Sequence, residues 1–285
     1  MLCNTKISTQ PQNIPRALKN TVFIMYYYTF LLLGCAILYI YIYINFGGYM
    51  DRNRWLIFAG LCVAVITGLV MVSSKEKVDV SSIDGTKIDT TSEIKDHVIG
   101  DVNSKIVVIE YADYQCPGCH AAYPQVKAIS DEYKGSVAFI FRNFPLTSIH
   151  PNALAAASAA EAAGLQGKYW EMHDSLFLNQ DTWKAASADQ RDARFQALAT
   201  QLGINIDQFR TDVTSKEIAT KIDTDRALGI KMGVSSTPTI FVNGKLASEE
   251  TVSNVMSSNG DALRDQLDRL IKENGGTPPT RTTTQ

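Results

Sequence analysis

Two cysteines in the stretch YADYQCPGCH, Cys116 and Cys119, are separated only by Pro117 and Gly118 and followed at once by His120. That spacing suits thiol-disulfide exchange, which needs one exposed thiolate to attack and a second thiol near enough to release the mixed disulfide. At the start of a helix, Cys116 would meet unpaired backbone N–H groups and the positive end of the helix dipole, so its pKa should fall below the free value of about 8.5. Cys119, one turn further in, is then the resolving thiol. A protonated His120 could add to the stabilisation of the thiolate. Glu110, six positions before Cys116, could accept and return the proton of Cys119 through water. Its alternative is a solvated acid at a strand edge.

Other chemistries use the same residue types. C-x-x-C-H also attaches c-type haem, with His120 as axial ligand. Haem needs a fold built around the macrocycle and usually a distal Met or His, and nothing else in the chain marks such a pocket. Structural zinc needs two further ligands, yet His97, His150 and His173 lack metal-ligand spacing and no third cysteine accompanies the pair. The expectation is no metal and no cofactor.

The elements around the pair support a redox turn. IVVIEY, just before it, is a nearly continuous β-branched and aromatic run, as expected for a strand buried on both faces. HAAYPQVKAISDEYKG, just after it, places Tyr123, Val126, Ile129 and Tyr133 at helical spacing, with Pro124 as a kink and Gly135 as a stop. A second strand, VAFIFRNF, follows at 137–144. Eight alanines between Ala153 and Ala163 then open a helical stretch that includes KYWEMHDSLF and runs to about residue 230, too long for a loop. Sheet chemistry returns with GVSSTPTIFVNG, where an Asn-Gly turn should lead into a further strand. An amphipathic helix at 260–273 closes the domain. Thr237-Pro238 precedes the strand TIFV. A cis X-Pro bond there would expose backbone groups beside the reactive sulfur, so that an extended peptide could pair with them.

The flanks differ from this domain. Residues 21–44 (TVFIMYYYTFLLLGCAILYIYIYI) carry no charge and are long enough to span a bilayer. A second uncharged run at 55–72 would reach about 27 Å as a helix. The chain is therefore divided into 1–49, a hydrophobic extension holding a possible extra span or lying upstream of a true start at Met50; 50–73, a membrane anchor; 74–96, a flexible linker; 97–274, the domain with a helical insertion at about 148–230; and 275–285, a disordered tail. With a start at Met50, the basic MDRNR precedes one span and the domain lies outside the cell membrane; with both spans it returns to the cytoplasm. The exported arrangement is the expected one. A net charge of −2 gives no basic face for nucleic acid.

YADYQCPGCH, KYWEMHDSLF and GVSSTPTIFVNG together resemble the DsbA-type thiol-disulfide oxidoreductases, in the thioredoxin-like branch that includes membrane-anchored prokaryotic members. The resemblance covers residues 97–274 and implies an α/β thioredoxin-like fold with an inserted helical subdomain, preceded here by one or two transmembrane helices. It implies that Cys116 attacks, Cys119 resolves, Glu110 is the buried acid, and Thr237 and Pro238, with Pro117 and Gly118, meet the substrate. One departure is that the best-known DsbA oxidases carry Pro-His between the cysteines. Pro-Gly should leave the thiolate less stabilised and the Cys116–Cys119 disulfide less oxidising, between about −120 mV for DsbA and −270 mV for thioredoxin.

The function expected is a membrane-tethered enzyme that forms disulfides in exported cysteine-containing proteins and is reoxidised by a quinone-linked membrane partner. The alternatives are a reductase or isomerase fed by a reductant donor, and a non-catalytic peptide-binding module. In the domain only the Cys116 and Cys119 pair is present, so the dithiol can cycle without scrambling a structural disulfide.

Overall fold

The β-branched run before the cysteines forms the centre of a sheet. The computed structural model describes residues 78–257 and 259–281, together with Leu56, Ala59, Gly60, Cys62, Val63, Ala64, Ile66 and Thr67. Its strands are β1 (Val98–Gly100), β2 (Val107–Ala112), β3 (Ala138–Asn143), β4 (Thr239–Val242) and β5 (Lys245–Leu246), in the order β1-β3-β2-β4-β5. β2 runs parallel to β3 and antiparallel to β4. Flanked on both edges and covered on both faces, β2 is apolar at every position but Glu110, which explains its lack of alternation.

The period of two sorts the faces. Val108 joins Phe139, Ile240 and Val242 on one side, and Ile109 and Tyr111 join Ile140 and Phe241 on the other. Glu110, in register with Phe141 and Ile240, shares the face of Val108. That face is covered by α1 (Pro117–Tyr133), whose Ala122, Ile129 and Tyr133 pack with Leu263 and Leu267 of the final helix, residues 261–273. An acid on this face therefore lies beneath the helix that carries the cysteines.

Six helices separate β3 from β4: α2 (Ala153–Gly164), α3 (Tyr169–Leu178), α4 (Gln180–Trp183), α5 (Ala188–Gln201), α6 (Ile206–Asp212) and α7 (Lys216–Lys231). The alanines of α2 allow close approach, and Ala156, Ala159, Ala160 and Ala163 are fully buried in a core with Met172, Leu176, Phe177 and Trp183. After the β4–β5 hairpin come α8 (Glu249–Met256) and α9 (Asp261–Glu273). The order is that expected from the sequence, with the short edge strand β1 and the helix α8 added.

The expected flexible linker at 74–96 differs from what is observed. From Val78 onward the segment is packed on the domain, and the compact unit begins at Lys77. Val80, Ile83 and Ile88 lie against the Tyr111 face, and Ile94 is buried. Hydrogen bonding does the rest. The buried Arg142 guanidinium donates to the carbonyls of Gly85 at 2.7 Å and Lys87 at 2.6 Å. Lys231 Nζ donates to those of Val80 at 2.9 Å and Ile83 at 3.0 Å. A segment with few large apolar groups is thus held by its backbone carbonyls, which a reading of hydrophobic pattern does not register. The tail differs similarly: Arg281 pairs with Asp265 and Asp268 of α9, each at 2.6 Å. Residues 282–285 lie outside the described set.

The run at 21–44 and the question of a start at Met50 also lie outside the described residues. Of the run at 55–72, the eight described positions are helical. Among the described residues no helix is long and apolar enough to cross a membrane.

Candidate active site

Cys116 is the N-cap residue of α1, in an extended conformation at φ −69° and ψ 126°, and Pro117 occupies the first turn, where its missing N–H costs nothing. The local sequence therefore delivers the sulfur to the helix start. Amides of Gly118 and Cys119 approach the sulfur without the geometry of a full cap hydrogen bond, yet near enough to favour its anion. Cys116 is pulled down to about pKa 5, chiefly by the Cys119 thiol, against the cost of burial, with further help from Thr237 and those two amides. His120 follows in the first turn of the same helix, and its Nδ1 is buried with no hydrogen-bond partner among the described residues.

Cys119 is fully buried, and burial together with the facing Cys116 raises its pKa well above the usual range. Its Sγ accepts from the Asp113 amide at 3.5 Å. The pair is reduced, with no disulfide between the two sulfurs. Burial, reinforced by the charge of Cys116, raises Glu110 to about pKa 7. The geometry brings together an anionic sulfur, a protonated one and an acid that titrates near neutrality.

The fourth element is the Thr237-Pro238 peptide, which is cis. The Thr237 carbonyl lies 3.4 Å from Cys116 Sγ, and its Oγ1 is buried without a partner among the described residues. Beside it opens a groove of about 510 Å³ lined by Pro238, Leu246, Val252 and Met256. Leu246 is 65% exposed there, a large apolar side chain in a groove that Pro238 also lines. A Cβ on Gly118 would come within 3.2 Å of Met256 Cε and 3.3 Å of Pro238 Cδ. Glycine thus leaves room for this wall of the groove.

Several residues that hold the cysteine loop were missed in the sequence. The Asp113 carboxylate accepts from the amides of Gln115 at 2.7 Å and Leu146 at 2.8 Å, and bonds His150 Nδ1 at 2.7 Å. Gln180 Nε2 donates to the carbonyls of Tyr114 at 2.8 Å and Cys116 at 3.2 Å. Gln115 Nε2 donates to Lys184 O at 2.6 Å. The helical insertion therefore clamps the loop that it follows in sequence. Only the polarity of Asp113 and Gln115 beside a buried strand could have signalled this.

The comparisons with known proteins agree with this geometry. A family model described as thioredoxin matches residues 92–258, more than half of the chain. The chain belongs to the thioredoxin family. Within that fold, a thioredoxin-like oxidoreductase from Silicibacter pomeroyi DSS-3 is similar at a TM-score of 0.50 and 26% identity, over 62% of this chain and 92% of that one. The thiol-disulfide exchange protein alpha-DsbA2 from Wolbachia pipientis shares the fold at a TM-score of 0.54 and 22% identity, over 67% of this chain and 93% of its own. BdbD from Bacillus subtilis does so at 0.51 and 24%, over 61% and 92%. The thioredoxin-like fold that the three motifs implied is borne out. Among curated relatives, the Na(+)/H(+) antiporter NhaA 3 of Salinispora tropica is 40% identical over 151 residues, 53% of this chain and 22% of the antiporter. NhaA 1 of Mycolicibacterium vanbaalenii is 36% identical over 152 residues, 53% of this chain and 24% of that protein. The chain spans less than a quarter of the curated relatives it matches.

The raised pKa of Glu110 gives a testable linkage. Its folded value of about 7 exceeds the ordinary 4.5. The folded state therefore carries no penalty below pH 4.5, loses stability as pH rises from 4.5 to 7, and stays lower above 7. Glu110→Gln removes the penalty. The reduced variant should be more stable than its reduced parent at pH 8 by up to about 3 kcal/mol, and this advantage should vanish by pH 4.5. Thermal unfolding across that range measures it, and a pH-independent difference would contradict the assignment.

Proposed function

We propose that this chain is a membrane-tethered oxidase of protein thiols, acting on the extracytoplasmic side on cysteine-containing exported proteins. The observation that carries the reading is the Cys116 sulfur at a helix start, with a pKa near 5, 3.4 Å from the Thr237 carbonyl. A substrate segment lies extended along Thr237 and Pro238, with apolar side chains in the groove beside Leu246 and Met256, and passes over Pro117 and Gly118. Its thiolate attacks Cys116 Sγ of the disulfide. The S–S bond breaks, a mixed disulfide forms, and Cys119 leaves with the electron pair and takes a proton from Glu110. A second substrate thiolate then attacks the substrate sulfur and releases Cys116 as thiolate. The substrate has lost two electrons and the enzyme has gained them. A quinone-linked membrane partner is the reoxidant in this reading.

A low thiolate pKa favours this direction, because stabilising the reduced form makes the disulfide a better oxidant. The value near 5 lies between about 3.5 for DsbA and 7 for thioredoxin, consistent with a Pro-Gly pair weaker than Pro-His. Tethering is supported by the apolar run at 55–72, whose described positions are helical and leave Leu56, Val63 and Ile66 exposed. Thr67 in the same helix donates its hydroxyl to Val63 O at 2.6 Å, which satisfies it without water. The test is to mix the oxidised full chain, in detergent, with a reduced unfolded protein of several cysteines. Disulfides appearing in the substrate, with matching loss of the Cys116–Cys119 disulfide, support oxidation. Reshuffling of wrong disulfides without net oxidation would point to an isomerase, and peptide binding without exchange to a binding module.

A further inference from the structure

The block KYWEMHDSLF carries a pair, His173 and Asp174, that the exchange chemistry does not use. The His173 ring is packed among Phe141, Trp170, Phe177 and Tyr114, with centroids at 4.8, 5.1, 5.1 and 5.6 Å. An imidazole enclosed by aromatic carbons is costly where an apolar side chain would pack as well. A cavity of about 30 Å³ is lined by this ring and by Glu110, with Lys127 and Ser130 on its wall. A water needs roughly 10–15 Å³ of such space and a few polar partners, so the cavity has room for one or two. His173 Nδ1 is 3.0 Å from Asp174 Oδ1. A carboxylate there assigns the proton to Nδ1 and leaves Nε2 free to accept. The outer end reaches solvent: the Lys127 side chain, 33% exposed, stands 3.9 Å from Asp174, 25% exposed.

We propose that His173 relays protons between solvent and Glu110 through water in this cavity, making His173 and Asp174 the outer end of a path whose inner end is Cys119. The proposal rests on the redox reading above. When the dithiol is reoxidised, the Cys119 proton passes to Glu110, from Glu110 to cavity water, and from water to His173 Nε2. The resulting imidazolium lies against the Asp174 carboxylate and releases its Nδ1 proton to Asp174 and solvent. The steps reverse when the pair is reduced, and one proton moves in either direction. Burial lowers the pKa of His173, so at neutral pH the ring is uncharged and able to accept. The groups packed around it that carry charge or titrate are Glu110 and Tyr114 from β2 and its following loop, Tyr123 and Lys127 from α1, and Tyr169 and Asp174 on its own helix.

The test uses the full chain in detergent, with His173→Phe, which keeps a ring in the aromatic cage, and Asp174→Asn, which keeps shape but removes the outer base. Exchange with glutathione is followed by stopped flow from pH 5.5 to 8.5, and the equilibrium constant is measured alongside. The expected result is a rate lower by about fivefold or more at pH 7 in both variants, a flattened pH profile and an unchanged equilibrium constant. Profiles that superpose on the parent's would overturn the relay. So would equilibrium constants that move in step with the rates, because that marks a packing role. A parent chain that does not exchange at all removes the redox reading and the relay with it, whereas an active parent matched by both variants removes the relay alone.

Discussion

Cys116→Ser is expected to lose thiol-disulfide exchange by more than about a thousandfold while folding as the parent does, because the covalent nucleophile is gone and a serine hydroxyl is not ionised at neutral pH. The serine oxygen would keep its place at the start of α1, a position that serine caps well, so helix stability should hold. Cys119→Ser should behave differently. It keeps the attacking thiolate and removes the resolving thiol, so it should accumulate a mixed disulfide with its substrate, visible on a non-reducing gel. Equal residual activity in the two variants would show that the roles of the cysteines are not those assigned. The pKa values point the same way, with Cys116 pulled down to about 5 and Cys119 pushed far up by burial. The pair is asymmetric before any substrate arrives.

The second large effect concerns stability and lies away from the sulfurs. Lys221 is buried, with Nζ 3.0 Å from Asp96 and 2.8 Å from Asp225. Arg142 pairs with Asp96 at 2.7 Å, and Asn143 Nδ2 donates to Asp225 at 3.1 Å and to Glu161 at 2.7 Å. Burial pushes Asp96 upward, yet Lys221 and Arg142 outweigh it and hold the carboxyl near pKa 2. Burial prevails at Asp225, which is raised to about 6. Lys221→Met leaves that carboxyl without its cation and should cost about 3–5 kcal/mol. For a domain of this size that lowers Tm by roughly 6–20 °C. Adding Asp225→Asn should recover part of the loss, since the orphaned charge is then removed. A cost below about 1 kcal/mol would show that water or protonation already relieves the cluster.

What could be read in advance depended on how local the signal was. The run at 106–111, the cysteines at a helix start and Thr237-Pro238 are short patterns whose meaning is set by their neighbours in sequence, and each occupies the expected element. Glu110 was legible because a lone charge in an apolar strand needs a reason. The packed segment at 78–96 was not. Its partners Arg142 and Lys221 lie 46 and 125 residues from Asp96, and the bonds run partly to backbone carbonyls that carry no sequence signature. Gln180 was illegible for the same reason, standing 64 residues from the Cys116 carbonyl it bonds.

Packing at 78–96 also affects how the redox pair should be studied, because a chain begun at His97 would lack Asp96 and leave Lys221 and Arg142 short of a partner. The measurement that bears most directly on the account is therefore the equilibrium redox potential of the Cys116–Cys119 pair in the full chain, titrated in glutathione buffers with Cys116→Ser as control. A stabilised thiolate without a histidine inside the motif predicts a value between those of thioredoxin and DsbA, at about −200 mV or above. A value near −270 mV would contradict an oxidase, and no reversible titration at all would contradict the redox reading itself.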